Sequence, residues 1–359
     1  MINVNLYPRW LVAVDDAEAR EINVFALLQG IADCGKLTQA ARDAGISYRH
    51  AWQLLDQWGK YFDSPLVEKR QGHGVTLTAL GEALLWAEKR VNARLTAQLS
   101  NLASELQSEL NRVIHDTKQI VRMHASHGYA VAELRDFLHA STQTQLDLQY
   151  RGNFDALYDL ARGDCDIAGF HIPEGSLQQA AILKYEKWMN TPDNRVVHFV
   201  RRTQGLILQK GNPLQITGIA DLVRNGVRLV NREPSSGTRM LFDMLCHEAG
   251  IEASGINGYR REELTHNAVG ALIASGMADV GFGVEAAARE FGLDFIPVAA
   301  EQYYLIGHKD TLLRPALQSI LELLRSDAFK RAIIAIPGYS APRSGEIETS
   351  QAIYTRIAA

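Results

Sequence analysis

Leu37-Thr-Gln-Ala-Ala-Arg-Asp-Ala-Gly-Ile-Ser-Tyr-Arg-His-Ala-Trp-Gln-Leu-Leu-Asp-Gln-Trp58 decides the reading of this chain. Ala40 and Ala41 are small enough for a second helix to cross closely over the first. Gly45 can supply the left-handed backbone that a sharp helix-to-helix turn needs. Ile46 anchors the turn in a core, and Ser47 stands where a side-chain cap starts the next helix. Leu54, Leu55 and Trp58 then recur at helical spacing and are expected to face inward. The other face opens with Ser47, Tyr48, Arg49, His50 and Gln53. In a helix-turn-helix those first turns enter the major groove of DNA. The Arg49 fork matches a guanine edge and the Gln53 amide an adenine edge.

Pro65-Leu-Val-Glu-Lys-Arg-Gln-Gly-His-Gly-Val-Thr-Leu-Thr78 follows, with two short extended runs around a glycine-rich tip. It reads as the wing of a winged helix, with Lys69, Arg70 and His73 directed at phosphates. From 36 to 73 there are six Lys/Arg and four Asp/Glu, and the whole chain carries a net charge of −4. A DNA footprint therefore rests on local placement and on doubling in a dimer rather than on bulk charge.

Ser47-Tyr-Arg-His-Ala-Trp-Gln-Leu-Leu-Asp56, Pro65-Leu-Val-Glu68 and Leu77-Thr-Ala-Leu-Gly81 together resemble the DNA-binding domain of ModE-type molybdate-responsive regulators. That domain is similar to the LysR-type winged helix. The resemblance covers roughly residues 20–113. It implies a homodimer on a pseudo-palindromic operator, a reader role for Ser47, Tyr48, Arg49 and His50, and a wing role for Lys69, Arg70 and His73. The small oxyanion-binding barrels that follow this domain in ModE are not visible here.

From Thr78 to about Val113 there is no proline, and Gly81 is the only glycine. Val91, Leu95, Leu99, Leu102, Leu106, Leu110 and Val113 recur in steps of 4, 4, 3, 4, 4 and 3. This 11-residue rhythm favours a nearly straight helix pairing. About 35 residues at ~1.5 Å each run about 50 Å. We read this helix as a dimer seam that sets two recognition helices about one DNA turn apart; a tetramer remains open.

The chain has 359 residues, 47% of them hydrophobic and 22% charged, which fits a globular protein of two or three domains. No run approaches the ~20 apolar residues of a membrane span. Met-Ile-Asn-Val-Asn-Leu-Tyr-Pro-Arg-Trp10 has no export pattern, so a cytoplasmic protein is expected. Cys34, Cys165 and Cys246 are far apart and read as reduced thiols.

After about Thr117 strands alternate with helices. Gln119–His124, Gln145–Tyr150 and Cys165–Phe170 read as strands, with helices at Tyr129–His139 and Phe154–Arg162. A β-rich run over Arg195–Gln209 leads to a second alternating set at 227–299, and Gln302–Gly307 reads as a further strand. The expectation is α/β: a winged helix-turn-helix domain (1–82), a dimerisation helix (83–116), then a two-lobed ligand-binding domain (117–359). Lobe I takes about 117–200 and 303–359, and lobe II about 205–300. Ligands in such folds sit beyond the carboxyl ends of strands, at helix N-termini.

Val230-Asn-Arg-Glu-Pro-Ser-Ser-Gly-Thr-Arg-Met-Leu-Phe242 places a hydroxyl-rich loop between a strand and a helix start. Ser235, Ser236 and Thr238 offer O–H donors, Gly237 allows close backbone approach, and Arg232 or Arg239 supplies full charge. This is a cradle for a small anion. Ala125-Ser-His-Gly128, with Ser126 and His127, is a second cradle on the other lobe. His266 and Tyr303 are further candidate contacts, while the strand ends Arg151-Gly-Asn153, Gly169-Phe-His171, Thr265-His-Asn267 and Gly281-Phe-Gly-Val-Glu285 each read first as backbone caps rather than ligand contacts. The spacing of His124, His127, His171 and His266 fits no zinc motif, so no metal is expected. No nucleophile–base set is recognisable, and Ser-Ser-Gly-Thr lacks the G-x-S-x-G elbow, so no catalytic residue and no cofactor is expected.

Here the chain resembles a second family, the periplasmic-type solute-binding proteins that sense tetrahedral oxyanions through an Arg-x-Asp-x-Ser-Gly-Thr loop. Arg232, Ser236, Gly237 and Thr238 match, while Pro234 stands where the acid would be. That departure argues against a protonated oxyanion and for molybdate or tungstate, or a small carboxylate such as formate. The resemblance covers roughly 118–340, a periplasmic-binding-protein-like domain of type II. Two alternatives stay open: a transport solute carrier, which has no use for residues 37–81, and a molybdenum-cofactor-related protein without a regulatory role.

Overall fold

In a computed structural model the chain is described over residues 2–15, 18–70, 74–114, 120–141 and 144–358. It divides into two compact units, Tyr7–Ala93 and Arg94–Ala359, with Met1–Leu6 belonging to the second.

The first unit opens with a small antiparallel pair, β1 (Leu11–Val12) and β2 (Arg20–Glu21). Helices α1 (Phe25–Cys34), α2 (Leu37–Asp43) and α3 (Tyr48–Tyr61) follow. The hairpin β3 (Val67–Arg70) and β4 (Gly74–Leu77) then leads into the long helix α4 (Ala79–Ile114). The close crossing occurs between Gly30 and Ala40: a Cβ on Gly30 would lie 2.7 Å from that of Ala40. Gly45 takes φ +70° in the turn, and Ser47 Oγ accepts the His50 N–H at 3.2 Å as the α3 cap. Leu27, Leu28, Ile31, Ala51, Leu55 and Trp58 form the core. Thr78 Oγ1 ties the hairpin to α4 by donating to Pro65 O (2.7 Å) and accepting from Gly81 N (3.2 Å).

The second unit begins with β5 (Ile120–Ala125), α5 (Tyr129–Ser141), β6 (Gln145–Tyr150), α6 (Asn153–Arg162) and β7 (Ile167–Pro173). Short helices α7 (Gln178–Leu183) and α8 (Glu186–Met189) precede the long strand β8 (Asn194–Leu208). Next come β9 (Leu229–Arg232), α9 (Gly237–Glu248), β10 (Glu262–Glu263), α10 (His266–Ala274), β11 (Val280–Val284) and α11 (Glu285–Glu290). The chain returns along β12 (Asp294–His308) and closes with α12 (Lys309–Leu312), α13 (Pro315–Arg325), α14 (Asp327–Ala335), β13 (Tyr339–Ser340), β14 (Ile347–Thr349) and α15 (Ser350–Ala358).

The main strands lie in the order β10-β9-β11-β8-β12-β7-β5-β6. At one end β5, β6 and β7 run parallel; at the other, β9, β10 and β11 do. Between them β8 and β12 pair antiparallel along their whole length, from Asn194 opposite His308 to Leu208 opposite Asp294. These are the two crossings between lobes. The return strand is longer than the expected Gln302–Gly307, because Phe295 and Ile296 continue the pairing against Ile207 and Leu206.

Helix α4 has two faces within this unit. Its polar face closes the edge of β6. Asn101 accepts from Tyr150 N (2.6 Å) and donates to Tyr150 O (3.1 Å). Ser104 accepts from Leu148 N (3.0 Å) and donates to Asp147 (3.0 Å). Unpaired strand-edge groups are thus satisfied by side chains. Asn111 and Gln107 bind the backbone of Ile2 and Val4 in the same way. The opposite face leaves Leu102, Leu106, Leu110 and Val113 exposed by 51, 42, 44 and 86%. The helix therefore belongs to the sensor from Arg94 onward, and the division falls inside it rather than at residues 82 and 116.

Candidate functional site

On the first unit, Ser47, Tyr48, Arg49, His50 and Gln53 are all exposed around the start of α3. The Lys69 ammonium lies 4.5 Å from the ring of Trp52 on the same helix, so Lys69 of the hairpin packs against the reader helix. Arg70 ends β3, and His73 lies outside the described residues.

On the second unit, loops from both lobes meet. Arg232 ends β9 and is 3% exposed. Its Nε donates to Glu263 O (3.2 Å) and its Nη2 to Leu264 O (2.7 Å). Among the described residues Nη1 has no protein partner, and the guanidinium has no carboxylate within ion-pair distance. Burial pulls its pKa down to about 10. Burying a cation bonded only to backbone carbonyls is costly unless a counter-charge offsets it.

The Ser235–Thr238 loop lies beside it. Ser235 O accepts from Asn153 N across the lobes at 3.1 Å, and a Cβ on Gly152 would stand 2.3 Å from Ser235 Oγ. Ser236 caps α9 by accepting from Arg239 N (3.1 Å). Gly237 packs on the Asn153 amide, which a Cβ would meet at 2.3 Å. Thr238 Oγ1 accepts from Gln204 Nε2 at 2.9 Å. Arg239 turns the other way. It binds Asp243 (3.1 Å), Glu262 (3.2 Å) and Arg232 O (2.9 Å), and lies 4.1 Å over the Tyr259 ring. Its charge is compensated within lobe II, so of the two arginines expected to supply charge only Arg232 is without a direct ion pair among the described residues.

From lobe I, Ser126 Oγ donates to Asn153 Oδ1 (3.1 Å), and His127 tilts on Tyr150 with ring centroids 4.6 Å apart. His171 Nδ1 sits 2.8 Å from Asn153 Oδ1, and its ring lies 3.8 Å from that of Tyr303. Tyr303 OH donates to Ser126 O at 3.4 Å. From lobe II, His266 starts α10 behind the Thr265 cap. Burial, reinforced by nearby arginines, pushes His127 down to about 4 and holds His171 and His266 well below the usual histidine range. The imidazoles are therefore neutral hydrogen-bonding groups at pH 7.

The crossing strands add an ion pair that sequence reading missed. Arg202 Nε bonds Glu301 Oε1 at 2.5 Å, with both side chains almost fully buried, and Gln204 Nε2 bonds the same oxygen at 2.8 Å. The only signal was the presence of charged residues within two long strand-forming runs. Glu301 pairs directly with Arg202, whereas Arg232 feels the Glu233 and Glu301 carboxylates only at longer range and has no ion pair of its own among the described residues. No group of His, Cys, Asp and Glu among the described residues is arranged to hold a metal ion. No helix among them is long and apolar enough to cross a membrane.

Fold and site together define a two-lobed solute-binding-type sensor joined to a winged helix-turn-helix. Comparison with known proteins agrees. Residues 134–325 match the PBP superfamily domain, which covers more than half of the chain, and the chain belongs to that family. Residues 22–82 match the bacterial regulatory helix-turn-helix protein of the lysR family. The uncharacterized protein YvgK of Bacillus subtilis is 31% identical over 199 residues, 55% of this chain and 64% of YvgK. The dual regulator ModE of Escherichia coli is 32% identical over 104 residues, 28% of this chain and 34% of ModE. Hydrogen-peroxide-bound OxyR of Corynebacterium glutamicum aligns over 92% of this chain and 94% of its own, at 13% identity and a TM-score of 0.45. The chain thus joins a PBP superfamily domain to a segment similar to the lysR-family helix-turn-helix and to ModE, and it spans 64% of the length of YvgK and 34% of that of ModE.

Proposed function

We propose that this protein binds a two-fold operator as a homodimer and that a small anion in the cleft controls that binding. The observation that carries the reading is Arg232, a buried guanidinium with no direct ion pair and an unbonded Nη1, near the neutral imidazoles of His127, His171 and His266. Ser47, Tyr48, Arg49, His50 and Gln53 read bases, while Lys69, Arg70 and His73 hold phosphates. The exposed stripe Leu102, Leu106, Leu110 and Val113 supports the dimer seam. Molybdate and tungstate are proposed from the likeness to ModE. A carboxylate of the formate type is the second reading, favoured by one unpaired guanidinium and hence one charge to neutralise.

A ligand moves such an equilibrium only by preferring one state. We place that preference in closure of the lobes, because Ser235 and Asn153 bond directly across them. A gel-shift titration of operator DNA with molybdate, tungstate, formate and phosphate tests the proposal. At least one anion is expected to change operator affinity; no change with any of them overturns the gating.

A further inference from the structure

The acceptors in the cleft carry information beyond the charge. Gln204 Nε2 donates to Glu301 Oε1 (2.8 Å) and Thr238 Oγ1 (2.9 Å). Glu301 is already the partner of Arg202, so it is a carboxylate that can only accept. The Gln204 amide is thereby fixed with its nitrogen toward Glu301. Its Oε1 is fully buried and has no protein partner among the described residues. A buried carbonyl oxygen in that state calls for a donor.

His171 repeats the argument. Asn153 Nδ2 donates to Tyr185 OH at 2.9 Å, and Tyr185 passes its own proton toward Met240 Sδ at 3.7 Å. Asn153 Oδ1 is therefore the acceptor that faces Ser126 and His171, so His171 carries its proton on Nδ1. Its Nε2 is left as a buried lone pair with no protein partner. The buried polar atoms of the cluster without a protein partner among the described residues thus include a donor, Arg232 Nη1, and two acceptors, Gln204 Oε1 and His171 Nε2, together with His266 Nδ1 and the Tyr339 hydroxyl. Thr238, which already accepts from Gln204, keeps its own O–H to donate.

We infer that the ligand is a small anion with one charge that also donates a hydrogen bond of its own: a hydroxycarboxylate or a hydrogen-bearing oxyanion, rather than a fully deprotonated tetrahedral dianion. Gln204 and His171 are its specificity-determining residues. The inference rests on the anion reading of the cleft; Gln204 Oε1 and His171 Nε2 supply the hydrogen-bond acceptors that Pro234 removes from the loop, and so they reverse the preference for a fully deprotonated anion drawn from that departure. Molybdate and tungstate present only acceptors at neutral pH and would leave both buried acceptors unpaired.

Calorimetric titration of the full chain with two matched pairs tests it, glycolate against acetate and bicarbonate against formate, with molybdate as a fifth probe. In at least one pair the O–H-bearing member is expected to bind roughly tenfold or more tightly than its partner, and more tightly than molybdate. Gln204→Met should bring the members of that pair together. Equal binding within both pairs, or molybdate as the tightest probe, overturns the inference while leaving an anion site. No binding by any probe overturns the anion reading itself. On the unaltered protein, nitrogen-15 NMR of the imidazoles gives a ligand-independent check. His171 is expected as the Nδ1–H tautomer, and an Nε2–H tautomer removes its acceptor and overturns the inference.

Discussion

Arg94 on helix α4 and Glu263 on strand β10 form a forked ion pair. The arginine Nε lies 3.0 Å from each carboxylate oxygen, and the Glu263 side chain is 5% exposed. The backbone oxygen of the same Glu263 accepts from Arg232 Nε. One residue of lobe II thus contacts both the cleft arginine and the helix that leads to the winged-helix unit. Asn101 and Ser104 tie that helix to β6 of lobe I, so α4 spans the two lobes. A movement of one lobe against the other would therefore be registered by α4.

Replacing either member should uncouple ligand from DNA. With Arg94→Ala or Glu263→Gln, anion affinity is expected to change only a few fold, while the anion-dependent change in operator affinity shrinks by about fivefold or more. Parallel calorimetry and gel shifts check this. An unaltered ligand response in both variants would remove the ion pair from the pathway.

Acid should destabilise the sensor through its histidines. His127 titrates at about 4 in the folded chain against ~6.5 when unfolded. Between those values the unfolded chain binds more protons. Stability is therefore full above ~6.5 and falls as the pH drops towards 4, by at most about 3 kcal/mol from this residue. His171 and His266 act in the same direction. A melting temperature about 4 °C or more lower at pH 5.0 than at pH 7.5 is expected; an unchanged or higher value contradicts the neutral-imidazole account.

The leucine stripe of α4 should hold the dimer. Leu106→Glu with Leu110→Glu places charges on half-exposed positions of the folded chain, so the monomer should stay folded. Each leucine removed from an interface forfeits roughly 1.5–3 kcal/mol. Light scattering is expected to show a monomer with unchanged circular dichroism; a persistent dimer places the seam elsewhere.

Arg49→Ala should relax base preference at one position of each half-site, at a loss of about 1–3 kcal/mol, whereas Lys69→Ala should weaken all sequences alike. A binding-site selection experiment separates the two outcomes.

Much of this was legible in the sequence, for stated reasons. Gly45, Ser47 and the Leu54–Trp58 spacing carry the helix-turn-helix, because turn, cap and core each demand particular residue types there. The alternation of strands and helices after 117 marks two lobes. Arg232 and Thr238 were readable as part of a loop before a helix. Gln204, Arg202 and Glu301 were not, because they meet only through the pairing of two strands about 100 residues apart, and no local pattern announces it. The two faces of α4 were half legible. The leucine rhythm is periodic, whereas Asn101 and Ser104 look like ordinary surface residues until the edge of β6 lies beside them.

The most direct test of the central claim is a gel-shift titration of the same operator with wild-type protein and Arg232→Gln, across a series of anion concentrations. Removing one member of a buried charged contact forfeits about 2–5 kcal/mol of ligand binding. The account predicts that the anion shifts operator affinity in the wild type and leaves the variant's affinity flat, with both proteins binding the operator in its absence. An Arg232→Gln protein that still responds at the wild-type anion concentration would contradict it.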